Sequence, residues 1–79
     1  MQYFVRTMEK HKDSVGNFGP ELTCNGLTQA KDEAKRIVLS SNPKMMLQAD
    51  ACFRNQNGVR TKYRCWMNER GEFHEYALV

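Results

Sequence analysis

The side chains of this chain that could act as nucleophiles or proton carriers are few. They are Cys24, Cys52 and Cys65, His11 and His74, and nine carboxylates. A thiol beside an imidazole forms a nucleophile–base pair, and Cys52 or Cys65 with His74 is the dyad that can be drawn. Alternation along "VRTKYRCWM", Val59 to Met67, turns Cys65 toward the core. Cys52 falls one strand away from the neighbour of His74, and no third group stands ready to orient the ring. The carboxylates (Glu9, Asp13, Glu21, Asp32, Glu33, Asp50, Glu69, Glu72 and Glu75) are scattered without a cleft-lining pair. The cysteines contain no CxxC, and the histidines lie far from any zinc-ligand spacing. "CNG" and "NQNG" are turn glycines, because neither joins a strand to a helix with the spacing of a phosphate cradle. The expectation is a non-catalytic protein with no metal and no cofactor.

A different chemistry shows in "VRTKYRCWM" itself. Read as a strand, it sends Val59, Thr61, Tyr63, Cys65 and Met67 to one face, and Arg60, Lys62, Arg64 and Trp66 to the other. Cations interleaved with the single tryptophan suit an anionic or protein partner. Guanidinium and ammonium groups pair with phosphate or carboxylate, and an indole stacks or fills a pocket. A plain solvated sheet face carries the same residue types for cross-strand packing and edge protection, so both readings stand.

The rest of the chain must hold that strand. Seventy-nine residues give one domain, 1–79, with a small core. Net charge is +3, too mild a bias to name nucleic acid as the partner unless the cations cluster. An odd number of cysteines argues against a disulfide framework and fits a cytoplasmic setting. No apolar run of about 18 residues exists, so no membrane span is expected. The opening "MQYFVRTMEK" lacks the basic start and apolar block of a leader.

"QYFVRTM", Gln2 to Met8, is rich in aromatic and β-branched residues and reads as a strand, followed by a polar loop from Glu9 to Pro20. "ELTC", Glu21 to Cys24, reads as a possible short second strand. After Asn25-Gly26, "LTQAKDEAKRIVLSS" is a helix with Thr28 as N-cap. Its apolar stripe is Ala30, Ala34, Ile37 and Val38, with Leu27 just ahead, and Asp32 and Arg36 form a supporting pair on its outer side. Asn42-Pro43 stops it. Met45 and Met46 then open a strand to Arg54, and "VRTKYRCWM" and "EFHEYALV" complete an antiparallel meander.

Register follows from burial, because a slip of one residue exchanges the faces. A three-residue loop Gln56-Asn57-Gly58 with a bulge at Gly58 pairs Phe53 with Thr61, Ala51 with Tyr63, Ala49 with Cys65 and Leu47 with Met67. Glu69-Arg70-Gly71 treated alike pairs Met67 with Phe73 and Tyr63 with Ala77. The inner face then holds Leu47, Ala49, Ala51, Phe53, Val59, Tyr63, Cys65, Met67, Phe73, Ala77 and Val79, with Glu75 a misfit. The outer face holds Arg54, Arg60, Lys62, Arg64, Trp66, His74 and Tyr76 as the candidate binding residues. Gln48, Asp50 and Cys52 accompany them, and Asp50 opposite Arg64 reads as a surface ion pair. The fold expected is two-layer α+β, one helix on an antiparallel sheet, in the order β(β)αβββ.

This order, with the helix start Leu27-Thr28-Gln29-Ala30-Lys31, resembles small phage-encoded inhibitor proteins, among them certain anti-CRISPR proteins. The resemblance implies a non-catalytic inhibitor that binds a host defence or other macromolecular complex in the host cytoplasm. The partner expected is therefore a host protein or nucleoprotein complex, with direct contact to nucleic-acid phosphates as the alternative. The exposed "HEYALV" strand leaves open a monomer or a homodimer through that edge.

Overall fold

A computed structural model describes residues 2–9 and 18–78. Strands β1 (Gln2–Glu9) and β2 (Leu22–Cys24) precede helix α1 (Leu27–Leu39). Strands β3 (Leu47–Asn55), β4 (Gly58–Met67) and β5 (Phe73–Ala77) follow it. All pairings are antiparallel and the sheet order is β2-β1-β3-β4-β5. The expected α+β class holds, and "ELTC" does supply a strand. The polar loop expected from Glu9 to Pro20 lies largely outside the described residues, as do His11 and Val79. The helix carries the chain from β2 on one side of β1 to β3 on the other, and so must cross the sheet. None of the described helices is long and apolar enough to cross a membrane.

The helix lies close to the sheet because both surfaces are made of small residues. Ala30, Ala34 and Val38 are fully buried against Val5, Ala49, Ala51, Tyr63 and Cys65. Ile37 and Leu27 flank this core at its margin. Thr28 is not the cap that its sequence position suggested. Gly26 takes that place with extended backbone, and the Gln29 side chain reaches back to accept the Asn25 N–H at 2.6 Å. An amide three positions into the helix satisfies an upstream donor in the same way as the glutamate of a capping box. The ion pair expected between Asp32 and Arg36 is also displaced. Arg36 Nη2 meets Glu33 at 2.6 Å, one residue nearer. At the other end, the Ser40 hydroxyl donates to the Arg36 carbonyl and the Ser41 hydroxyl to that of Val38.

Met45 and Met46 do not open β3. Pro43–Met45 form one 3-10 turn, with the Asn42 side chain accepting from the Lys44 N–H, and Met46 is left-handed at φ 46. The strand begins only at Leu47.

The hairpin registers separate into one expectation met and one relocated. Between β4 and β5, Met67 pairs with Phe73 and Tyr63 with Ala77, as the inner-face argument requires. Asn68 organises this turn, its Oδ1 accepting from the Arg70 and Glu72 N–H groups, each at 3.0 Å. Gly71 takes φ 79. Between β3 and β4, Ala51 pairs with Tyr63 and Ala49 with Cys65, again as expected. The ladder ends at Gln48–Trp66, one pair short of the expected Leu47–Met67. The extra residue that permits this register is not at the turn. Asn55 pairs with Gly58 across a two-residue loop, Gln56-Asn57, and the register shifts between Ala51 and Cys52 instead, leaving Lys62 as the bulged residue. Phe53 therefore faces Arg60, not Thr61, and Cys52 faces Thr61.

Gly71 offers a direct test of the second turn. A Cβ there would meet only Pro43 Cγ at 3.6 Å, ordinary contact, so the penalty for Gly71→Ala is conformational. It should cost about 1 kcal/mol in urea unfolding. Gly71→Asn, which tolerates positive φ, should recover most of that loss; an equal loss in both variants would refute the backbone explanation.

Candidate functional site

The face of the sheet away from the helix is built on β3, whose residues Leu47 to Cys52 are buried throughout. Burial on both faces of a strand that contains Gln48 and Asp50 sets an electrostatic problem. Asp50 is fully buried, and Gln48 is 2% exposed. A lone carboxylate in such a place is costly, so neighbours must supply donors and positive charge. Arg64, directly opposite on β4, does this with two parallel bonds, Nε to Oδ1 at 2.9 Å and Nη2 to Oδ2 at 3.0 Å. Gln48 Nε2 donates to Oδ1 at 3.1 Å, and the Thr61 hydroxyl donates to Oδ2 at 3.4 Å. Arg6 stands opposite Asp50 on the other flank, from β1. The expected surface ion pair is thus a buried fork, a far more consequential contact. The hydrogen bond to Asp50 also holds the Arg64 guanidinium charged well above its usual range.

The bulge belongs to this arrangement. Without it, Lys62 would lie directly opposite Cys52, which is fully buried. With it, Thr61 takes that position, within 3.8 Å of the Cys52 sulfur and in reach of Asp50. A hydroxyl is cheaper to bury there than an ammonium.

Much of the outer face is consequently covered by its own arginines. Arg54 lies over the Phe4 ring at 4.5 Å and closes on Glu21 through two bonds of 2.9 and 2.7 Å. It also donates to Gln2 Oε1. The hydrogen bond from Arg54 lowers the Glu21 carboxyl below its ordinary range. Arg6 stacks under Phe18 at 3.9 Å. The stem and flat guanidinium of Arg54 seal the fully buried Phe4 beneath them.

The seven residues expected to form a cationic–aromatic surface therefore divide. Arg54 and Arg64 are on the expected face but engaged by internal carboxylates. Arg60 is not on it: pairing with Phe53, which packs on Tyr3 beside the helix-side core, places it on the helix face. Val59, expected inside, is on the outer face opposite Arg54 and is 39% exposed. Lys62 occupies the bulge, half-buried. Arg60 and Lys62 make no ion pair among the described residues.

The remaining three do come together. His74 stacks on Trp66, with ring centroids 5.3 Å apart and planes 15° from parallel. Tyr76 meets Trp66 edge-on at 5.6 Å. The Tyr76 hydroxyl accepts from Arg64 Nη1 at 3.3 Å, which ties the cluster to the Asp50 fork. His74 and Tyr76 are exposed and Trp66 is half-buried. The sequence marked these residues through alternation alone; it gave no sign of Phe4, Phe18 or Gln2 as parts of the same face.

Glu75, the misfit of the inner face, has a definite partner. The buried Tyr63 hydroxyl donates to its Oε1 at 2.7 Å, and Lys35 Nζ lies 3.6 Å from the same oxygen. Burial, helped by that bond, holds the Tyr63 phenol protonated well above its usual range.

The thiol–imidazole pairing is not assembled. Cys65 is on the helix face and Cys52 bonds weakly to Thr61, while His74 stacks on Trp66 beside Asn68. Burial raises all three thiols, that of Cys65 to about 11. Among the described residues no group of histidine, cysteine and carboxylate side chains is placed to hold a metal ion. No family model, curated protein or solved structure matches the chain.

Two predictions follow from these contacts. Arg64→Met strands the fully buried Asp50 and should cost about 3 kcal/mol. Asp50→Asn should cost less, because Arg64 is 30% exposed and can turn to water; the double variant should be more stable than Arg64→Met alone. Chemical denaturation of the three variants reads this out, and a double variant as unstable as the two losses added would contradict the pairing. The second concerns pH. Cys65 is raised in the folded state above the ordinary thiol value of 9.0. Its contribution to stability is complete below about pH 9 and is lost as pH rises toward about 11. Urea midpoints under reducing conditions should fall over that window, and less steeply in Cys65→Ala.

Proposed function

We propose that the chain is a small non-catalytic binding protein that inhibits or modulates a macromolecular complex. Its contact surface is the outer face of β4 and β5, centred on Trp66, His74 and Tyr76, with Arg64 at its inner margin. The observation that carries this reading is the contiguous ring cluster beside Arg64, which is already closed on Asp50. Aromatic groups held rigid on strands and partly exposed are typical anchors of protein interfaces. Arginines committed to internal carboxylates have less to offer a phosphate backbone. The resemblance at Leu27–Lys31 and in the element order supplies the partner class, a host protein or nucleoprotein complex, of host defence or another macromolecular system, in the cytoplasm of a phage-infected cell.

Direct binding to nucleic acid is the competing reading, supported by the stacking capacity of the same rings and by Lys62. Salt and mutation separate the two. A pull-down from host lysate with and without nuclease should retain its partner after nuclease treatment. Trp66→Ala should weaken capture by tenfold or more, an effect of about 1.4 kcal/mol or greater, and Lys62→Ala by much less. Loss of the partner on nuclease treatment, with affinity falling steeply as salt rises, would replace this reading with the nucleic-acid one.

A further inference from the structure

Strand β5 has β4 on one side and no strand among the described residues on the other. The direction of its free backbone groups can be deduced. At the two ends of the β4–β5 ladder, the Asn68 N–H donates to the Glu72 carbonyl and the Leu78 N–H to the Lys62 carbonyl. The register between them is unbroken. Antiparallel ladders alternate, so the even-numbered residues of β5 bond to β4, and Phe73, Glu75 and Ala77 aim their N–H and C=O groups at the open side.

The two sheet margins differ. The β2 edge is three residues long, is followed at once by Asn25-Gly26, and is preceded by Glu21, which Arg54 clamps from across β1. Short edges and charged clamps are the usual guards against strand addition. Strand β5 runs five residues, "FHEYA", with neither proline nor lysine, and its register to β4 has no bulge. Tyr76 on it is 40% exposed.

We infer that β5 pairs antiparallel with β5 of a second copy of this chain, about a two-fold axis at Tyr76, to give one continuous sheet. The occupant follows from self-complementarity. Centred on Tyr76, the outward-facing Glu75 of each copy meets the outward-facing Ala77 of the other, and N–H and C=O groups match on both strands. Tyr76 then faces Tyr76 on the outer side as a close, non-hydrogen-bonded pair, the arrangement in which cross-strand aromatics contribute most. Centring on Glu75 would set two carboxylates against each other on the helix side. The chosen register leaves each Glu75 with its own Tyr63 and Lys35. The two clusters of Trp66, His74 and Tyr76 become one aromatic band across the seam. The inference stands on the backbone of β5, independently of the identity of any partner.

Sedimentation velocity from micromolar to near-millimolar concentration tests it. The unaltered chain should shift from monomer to dimer. Ala77→Pro removes an N–H that bonds nothing among the described residues, so it should leave the fold, followed by circular dichroism, in place and weaken dimerisation at least about tenfold. Tyr76→Lys, which sets two ammonium groups face to face, should do the same should the proline variant fail to fold. Tyr76→Cys should cross-link as a dimer under oxidation, since the native thiols are buried. A chain that remains monomeric throughout overturns the inference, and so does a dimer that persists undiminished in Ala77→Pro and Tyr76→Lys.

Discussion

A carboxylate with no exposed surface governs this small sheet. Asp50 sits in the middle strand, walled by β1 and β4, and must find compensation from them. The fork from Arg64 supplies charge, while Gln48 and Thr61 supply further donors. Each requirement is also a positional one. Arg64 reaches Asp50 as a fork because β4 runs opposite β3 in that register, and Thr61 reaches it because Lys62 is bulged out of the ladder. A slip of one residue would carry Arg64 to the helix side and leave the carboxylate buried and alone, at a cost of several kcal/mol. Apolar alternation would penalise that slip as well, but the inner face is made largely of alanine and cysteine, and small residues discriminate weakly. The charge pair adds the specificity that a thin core lacks.

The same pair explains why the chain needs a covering on both sides of β3. On the helix side the covering is α1, held close by Ala30 and Ala34. On the other side no second helix exists among the described residues, and the cover is assembled from flat side chains. Arg54 lies on Phe4, Arg6 under Phe18, and Arg64 on Asp50. Arg54 shields Phe4 and Arg64 shields Asp50, each keeping polar partners at its rim, while Arg6 lies against Phe18 with its buried Nε unpaired among the described residues. This is a way to thicken a two-layer domain without adding chain, and it converts cations from surface charge into structural parts.

Element order was legible because it depends on local signals. The helix stripe, the Asn42-Pro43 stop and the Glu69-Arg70-Gly71 turn are each written in a few adjacent residues. The inner halves of β3 and β4 were legible too, since burying Ala49, Ala51, Tyr63 and Cys65 together excludes any slip by one residue. What alternation could not locate was the bulge. The pattern required one extra residue in β4, and glycine next to the turn was the cheapest place on local grounds. The structure puts it at Lys62, because a fully buried Cys52 across the strand favours the Thr61 hydroxyl over an ammonium. That is a tertiary cause, and its consequence was to move Arg60 off the candidate surface and Val59 onto it. Thr28 and Asp32 failed for smaller reasons: the helix starts two residues earlier than a Thr28 cap implies, with Gly26 at the cap, and Arg36 closes on Glu33, three residues back instead of four.

Charge counting misjudged the outer face for a related reason. Arg54, Arg60, Lys62 and Arg64 look like one cluster in the sequence, but a cation's availability depends on what lies opposite it. Two are consumed by acids from distant parts of the chain, Glu21 and Asp50, and one is on the other side of the sheet. The aromatic residues suffered no such subtraction. Trp66, His74 and Tyr76 pack on each other, so their mutual contact preserves the surface that it builds, and Arg64 links that surface to the buried carboxylate through the Tyr76 hydroxyl. Disturbing Asp50 would therefore loosen the aromatic cluster without touching any of its rings. The part of the face best suited to contact is held in place by the part least exposed to it.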